Sequence, residues 1–149
     1  METINTFQRD FWINKKVLIT GHNGFKGSWL SLLLIQLGAE IFGISLKNDD
    51  PNSLFNKLGI KENINEKIID IRNIKLIKET ISDFSPDIIF HLAAQPLVRE
   101  SYLKPVETWS TNVMGTISVL EAIRELTRKV IFIGITTDKV YDNKEWIYG

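Results

Sequence analysis

Gly21, Gly24 and Gly27 recur at three-residue intervals in the string Gly21-His22-Asn23-Gly24-Phe25-Lys26-Gly27. The continuous apolar run Val17-Leu18-Ile19 precedes it and a segment of helical spacing follows. Glycines so placed let the backbone approach a pyrophosphate, whose charge is met by the amides at the helix N-terminus. The strand-before, helix-after context gives the string its weight. Its structural alternative is a tight turn under a closely packed helix, with His22 and Lys26 as exposed loop residues, His22 solvated rather than catalytic. Further along, Asp70-Ile71-Arg72 offers a carboxylate to an adenine amino group, or else a helix cap, for which Asn73 competes. His91-Leu92-Ala93-Ala94-Gln95 puts small residues where a cofactor passes close to the backbone, or where side chains pack beneath a helix. Thr136-Thr137-Asp138-Lys139-Val140-Tyr141 gathers a hydroxyl, a carboxylate and an amine, a set able to hold a sugar hydroxyl and move protons. A turn or cap accounts for the same Thr-Thr-Asp string structurally. Lys139 is a base only where burial or a neighbouring cation lowers its pKa.

These groups need elements to position them. Short runs rich in Ile and Val alternate with longer segments of helical spacing, the pattern of βαβ units. Strands are expected at Val17–Ile19, Ile41–Leu46, Ile68–Ile71, Ile88–Leu92 and Val130–Ile135. A helix from about Phe25 presents Leu30, Leu33, Leu34 and Leu37 on one buried face and is capped by Gly38. Lys47–Asn63, with its polar Asn48-Asp49-Asp50-Pro51-Asn52-Ser53 cluster, reads as a surface excursion. Ile74–Phe84 is an amphipathic helix ended by Pro86. After a loop with two prolines, a long helix runs from about Val106 to Leu126. Parallel strands need crossovers, so the fold class is α/β, a doubly wound, mostly parallel sheet of Rossmann-like dinucleotide-binding type with helices on both faces. Ligands of such sheets bind at the carboxyl ends of the strands. At the second strand's end Ser45-Leu46-Lys47 lacks the acid that an NAD-preferring site usually carries. Lys47 favours a 2′-phosphate or is simply solvated, and the residues leave NAD and NADP both open.

Eighteen basic and eighteen acidic residues give the 149-residue chain zero net charge, with no overall footprint for nucleic acid or anionic lipid. The 44% apolar content suits a single domain with a sizeable core. Without cysteine there are no disulfides, thiolate zinc sites or cysteine nucleophiles, and no metal site is expected. The apolar stretch Trp29–Ile35 is far below the roughly 20 residues of a membrane helix. Met1–Asp10, with Glu2, does not read as a secretory signal, so a cytoplasmic location is expected.

Gly21–Leu30, His91–Tyr102, Thr111–Thr116 and Thr136–Tyr141 together resemble the CDP-glucose 4,6-dehydratases, of the extended short-chain dehydrogenase/reductase superfamily. The Gly-Phe-Lys-Gly-Ser-Trp string and the Asp-Lys pair after Thr137 point to that branch. The resemblance implies a lyase in polysaccharide biosynthesis that uses NAD catalytically to convert CDP-glucose to CDP-4-keto-6-deoxyglucose, as a homodimer in full-length form. By position, Gly21, Gly24 and Gly27 would hold the pyrophosphate, Asp70 and Ile71 the adenine region, and Ala93 and Ala94 the cofactor backbone, with Asn23, Phe25 and Gln95 completing the set. Thr137 would bond the sugar, Asp138 act as acid for the departing hydroxyl, and Lys139 lie near the C5 proton. Asn112 is architectural. The family's Tyr-x-x-x-Lys is not found within the 149 residues, and neither Tyr141 nor Tyr148 has a lysine four positions on. The expectation is one dinucleotide-binding domain over residues 1–149, with 1–14 as an N-terminal extension, the C-terminal substrate part absent, and no turnover by this length alone. Two alternatives stand beside it. One is a stand-alone non-catalytic nucleotide-binding or assembly module; the other is an NAD-dependent nucleotide-sugar epimerase or reductase.

Overall fold

A computed structural model describes residues 6–137, 141, 142 and 144–147, the side chains of 6–8 excepted. Five parallel strands form one sheet in the order β3-β2-β1-β4-β5: β1 Lys16–Thr20, β2 Glu40–Ser45, β3 Asn65–Ile68, β4 Ile88–His91 and β5 Ile131–Gly134. Helix α1 (Thr6–Trp12) precedes the sheet, and α2 (Phe25–Leu37), α3 (Leu54–Lys57), α4 (Ile74–Phe84), α5 (Val98–Leu103), α6 (Pro105–Trp109) and α7 (Gly115–Arg124) connect its strands. This is the doubly wound α/β architecture that the apolar periodicity predicts.

Alternation along the strands builds a core on each face of the sheet. Leu18, Ile44 and Ile89 turn toward Ile77, Ile81 and Phe84 of α4 and Val119 and Ala122 of α7. Val17, Ile19, Ile41 and Ile88 turn the other way, onto Leu34 and Leu37 of α2, with Trp12 of α1 packed beside them.

Four local expectations are corrected. Of the stripe assigned to α2, Leu34 and Leu37 are buried, Leu30 is half-buried and Leu33 is 45% exposed. The inner face carries Gly27, Ser28 and Ser31 instead, small residues that bring the helix close to β1. The Lys47–Asn63 excursion contains α3 and a 3₁₀ turn at Ile60–Asn63, because Phe55 and Ile60 are drawn into the interior. The third strand lies earlier than expected, at Asn65–Ile68, and leaves Ile69 and Ile71 buried in the loop beyond it. The two-proline loop folds into α5, and the long helix that follows is interrupted by a π turn at Ser110–Met114. The expected start of that helix and the positions of α4, β1, β4 and β5 agree to within a residue or two.

Candidate functional site

The strand order reverses between β1 and β4, and the carboxyl ends of the strands open into one cleft of about 880 Å³. Crevices at such a reversal are where doubly wound sheets bind ligands. Gly21, Asn23, Gly24, Phe25 and Gly27 line it from the β1–α2 turn, Asp70 and Ile71 from beyond β3, and Ala93, Ala94 and Gln95 from beyond β4. Every residue expected to hold a cofactor therefore meets in one place. Thr136 reaches the same cleft. Thr137 is exposed outside its lining, and Asp138 and Lys139 lie outside the described residues.

The turn requires its glycines. Gly21 has a left-handed φ of 73°, and a Cβ there would stand 2.8 Å from the Ala93 nitrogen. A Cβ at Gly27 would stand 2.7 Å from the His22 Cα. Gly24 is the N-cap of α2 and supplies no side-chain cap, so the first-turn amides, which have no partner within the helix, face the cleft. Asn23 ties the turn to the β2 end by donating from Nδ2 to the Leu46 carbonyl at 2.8 Å.

His22 is not solvated, as the sequence led one to expect; it is fully buried, whereas Lys26 is exposed. Its Nε2–H donates to Glu66 Oε2 at 2.8 Å, and its ring meets Phe55 edge-on at 5.2 Å. Gly43 makes the room, since a Cβ there would lie 2.6 Å from the His22 Cδ2. Burial pushes the Glu66 carboxyl up, but the hydrogen bonds from His22 and Lys61 outweigh it and hold the group below its ordinary value. No short-range pattern marks His22 as buried, because its acceptor lies 44 residues on.

Beyond β3, Asp70 does not cap α4; Asn73 does, accepting the Leu76 amide at 3.2 Å. Asp70 instead holds Arg72, whose Nε lies 3.0 Å from both carboxylate oxygens, and that guanidinium keeps its carboxyl below the usual range. At the end of β2, Lys47 pairs with Asp49 at 2.7 Å in solvent. Ser45 is 4% exposed and lines the cleft, and its Oγ has no hydrogen-bond partner among the described residues. An orphaned buried hydroxyl costs stability unless something fills its need, and the sequence gives it no distinguishing mark. On the floor, Asn112 bonds the Gln95 backbone through both side-chain atoms, at 2.7 and 3.1 Å, the architectural part expected of it. Uncapped amides, a glycine cradle and an orphan hydroxyl along one cleft fit a dinucleotide.

The family model described as GDP-mannose 4,6 dehydratase matches residues 18–146. The chain belongs to that family. It is 46% identical over 141 residues to the CDP-glucose 4,6-dehydratase of Salmonella typhimurium (strain LT2), covering 95% of this chain and 39% of that protein. UDP-glucose-4-epimerase from Stenotrophomonas maltophila, solved with NAD and formylated UDP-arabinopyranose, shares the fold at TM-score 0.78 and 24% identity over 90% of this chain and 40% of the other. UDP-glucose 4-epimerase from Brucella ovis in complex with NAD gives TM-score 0.66 and 29% identity over 79% and 35%. The chain thus spans about two-fifths of the length of the Salmonella relative and of these two solved structures.

Proposed function

We propose that this chain is the NAD-binding part of a cytoplasmic sugar-nucleotide dehydratase that converts CDP-glucose to CDP-4-keto-6-deoxyglucose, and that at this length it does not turn over alone. The observation that carries the reading is the β1–α2 turn, where glycine is sterically required and uncapped helix amides open onto the cleft. The Salmonella relative supplies the substrate class. NAD, when bound, supplies a reversible hydride acceptor. Gly21, Gly24 and Gly27 then let its pyrophosphate approach the α2 amides, while Asn23 and Phe25 flank it. Asp70 and Ile71 meet the adenine, Ser45 Oγ a ribose hydroxyl, and Ala93, Ala94 and Gln95 the far half. NAD rather than NADP is supported by the NAD in the Brucella ovis epimerase. Thr137 would bond the sugar, Asp138 would protonate the leaving hydroxyl, and Lys139 would lie near the C5 proton.

A homodimer in the full-length protein is part of the reading. Val106, Trp109, Val113, Ile117 and Leu120 form one stripe along α6, the π turn and α7, each at least 37% exposed. Such a stripe marks a face that another surface covers. No helix among the described residues is long and apolar enough to cross a membrane.

The test is to incubate the full-length gene product with CDP-glucose and NAD and look for a 4-keto-6-deoxy sugar. Turnover of UDP-glucose instead would move the protein to the epimerase reading, which the NAD-bound epimerase likeness favours second. NAD binding without chemistry would leave the non-catalytic module. Product formed by the 149-residue chain itself would refute the claim that it is inactive alone.

A further inference from the structure

The cleft floor, Leu92–Gln95, is held at both ends from outside. Ala93 N–H donates to Thr20 Oγ1 at 3.2 Å, and Gln95 N–H donates to Asn112 Oδ1 at 2.7 Å. His91 connects the two anchors. Parallel pairing sets it beside Thr20, its Nδ1 2.7 Å from Thr20 Oγ1, while its Nε2 lies 2.9 Å from Thr116 Oγ1 in the first turn of α7. Thr116 Oγ1 in turn lies 2.6 Å from the Asn112 carbonyl inside the π turn.

Elimination fixes every proton in this circuit. A carbonyl only accepts, so the single Thr116 proton goes to Asn112, and the Thr116 oxygen must accept from His91 Nε2–H. The neutral ring then has a bare Nδ1, which takes the Thr20 proton and leaves the Thr20 oxygen free to receive Ala93 N–H. A charged ring would offer two donors and strand the Thr20 proton. His91 is 5% exposed and stacked on Phe132 at 6.1 Å, and no charged side chain contacts it among the described residues. None of Thr20, His91 or Thr116 lines the cleft. Asn112 sits where the helix is locally widened, with Gly115 N–H reaching Ser110 O, a deformation common at functional sites.

We propose that His91, as the neutral Nε2–H tautomer, is a positioning residue that closes a hydrogen-bonded ring and sets the cleft floor for the dinucleotide. The inference rests on the cofactor reading above. Nitrogen-15 NMR of the ligand-free chain at pH 7 should show a protonated Nε2 and a bare Nδ1. Thr116→Val breaks the circuit at one link, removing both hydrogen bonds of its hydroxyl, without changing shape. Losing that link should speed exchange of both the Ala93 and Gln95 amides about tenfold, with Thr116→Ser returning both to near the wild-type rate. NADH affinity of Thr116→Val should fall about tenfold while AMP, confined to the β2–β3 side, binds as before. A charged or Nδ1-protonated His91, an Ala93 amide indifferent to Thr116→Val, or equal losses for NADH and AMP would each overturn the proposal. Failure of the wild-type chain to bind NADH would sink the cofactor reading instead, and the tautomer and exchange data would still decide the ring.

Discussion

At the scale of single residues, two positions in or beside the cleft carry opposite lessons. Gly43 exists for His22: alanine there pushes a methyl into a fixed ring. Gly43→Ala is therefore expected to destabilise by about 1–3 kcal/mol despite its better strand propensity, and to cost markedly less in a His22→Ala background. Urea unfolding of the four-member cycle measures that coupling; equal costs in both backgrounds would refute it. Ser45 carries the reverse expectation. Because its hydroxyl is buried without a partner among the described residues, Ser45→Ala should leave the free chain as stable or about 1 kcal/mol more so. The same change should weaken NAD binding about three- to tenfold if that hydroxyl meets the ribose. Loss of stability together with unchanged affinity would show that Ser45 serves the fold alone.

At the scale of elements, ends and registers decide more than interiors. Asn73 caps α4 through the Leu76 amide, so Asn73→Ala should cost about 0.5–2 kcal/mol in urea unfolding. Asp70→Ala should leave that helix intact. The end of β4 sets a pH dependence. Burial holds His91 below its ordinary value of 6.5, so the unfolded chain binds the extra proton first as pH falls. The contribution is complete above pH 6.5 and is lost progressively below it. His91→Gln should flatten the acid-side decline just below pH 6.5, read by thermal melts across pH. Glu66, Asp70 and Asp87, the last accepting the Lys16 amide at 3.0 Å, are held below their ordinary values, and their contributions fade separately, only below about pH 4.5.

At the scale of the whole molecule, the sheet opens a cleft at its strand ends, and α6, the π turn and α7 present an apolar stripe. NAD at a hundredfold excess over its Kd should stabilise the chain by about 2.7 kcal/mol, a rise of about 5–10 °C for a chain of this size. In the full-length protein Ile117→Glu is expected to shift a dimer toward monomer in light scattering, since it buries a charge in the covered face. An unchanged mass would detach the stripe from assembly.

Apolar runs determined four of the five strands, α2, α4 and the glycine turn, because period and turn chemistry are local and act over a few residues; β3, Asn65–Ile68, carries no apolar run and its place is set by pairing with β2. The same local chemistry located Gly21–Gly27, Asp70–Ile71 and Ala93–Gln95 at strand ends, and a parallel sheet brings strand ends together. Only the tertiary structure decided that His22 is buried, that Phe55 and Ile60 pull the surface excursion into short helices, and that His91 bridges Thr20 and Thr116. Each depends on a partner far along the chain: Glu66 44 residues from His22, Thr20 71 residues from His91. No periodicity within a segment encodes such a partner. Packing in three dimensions supplies it.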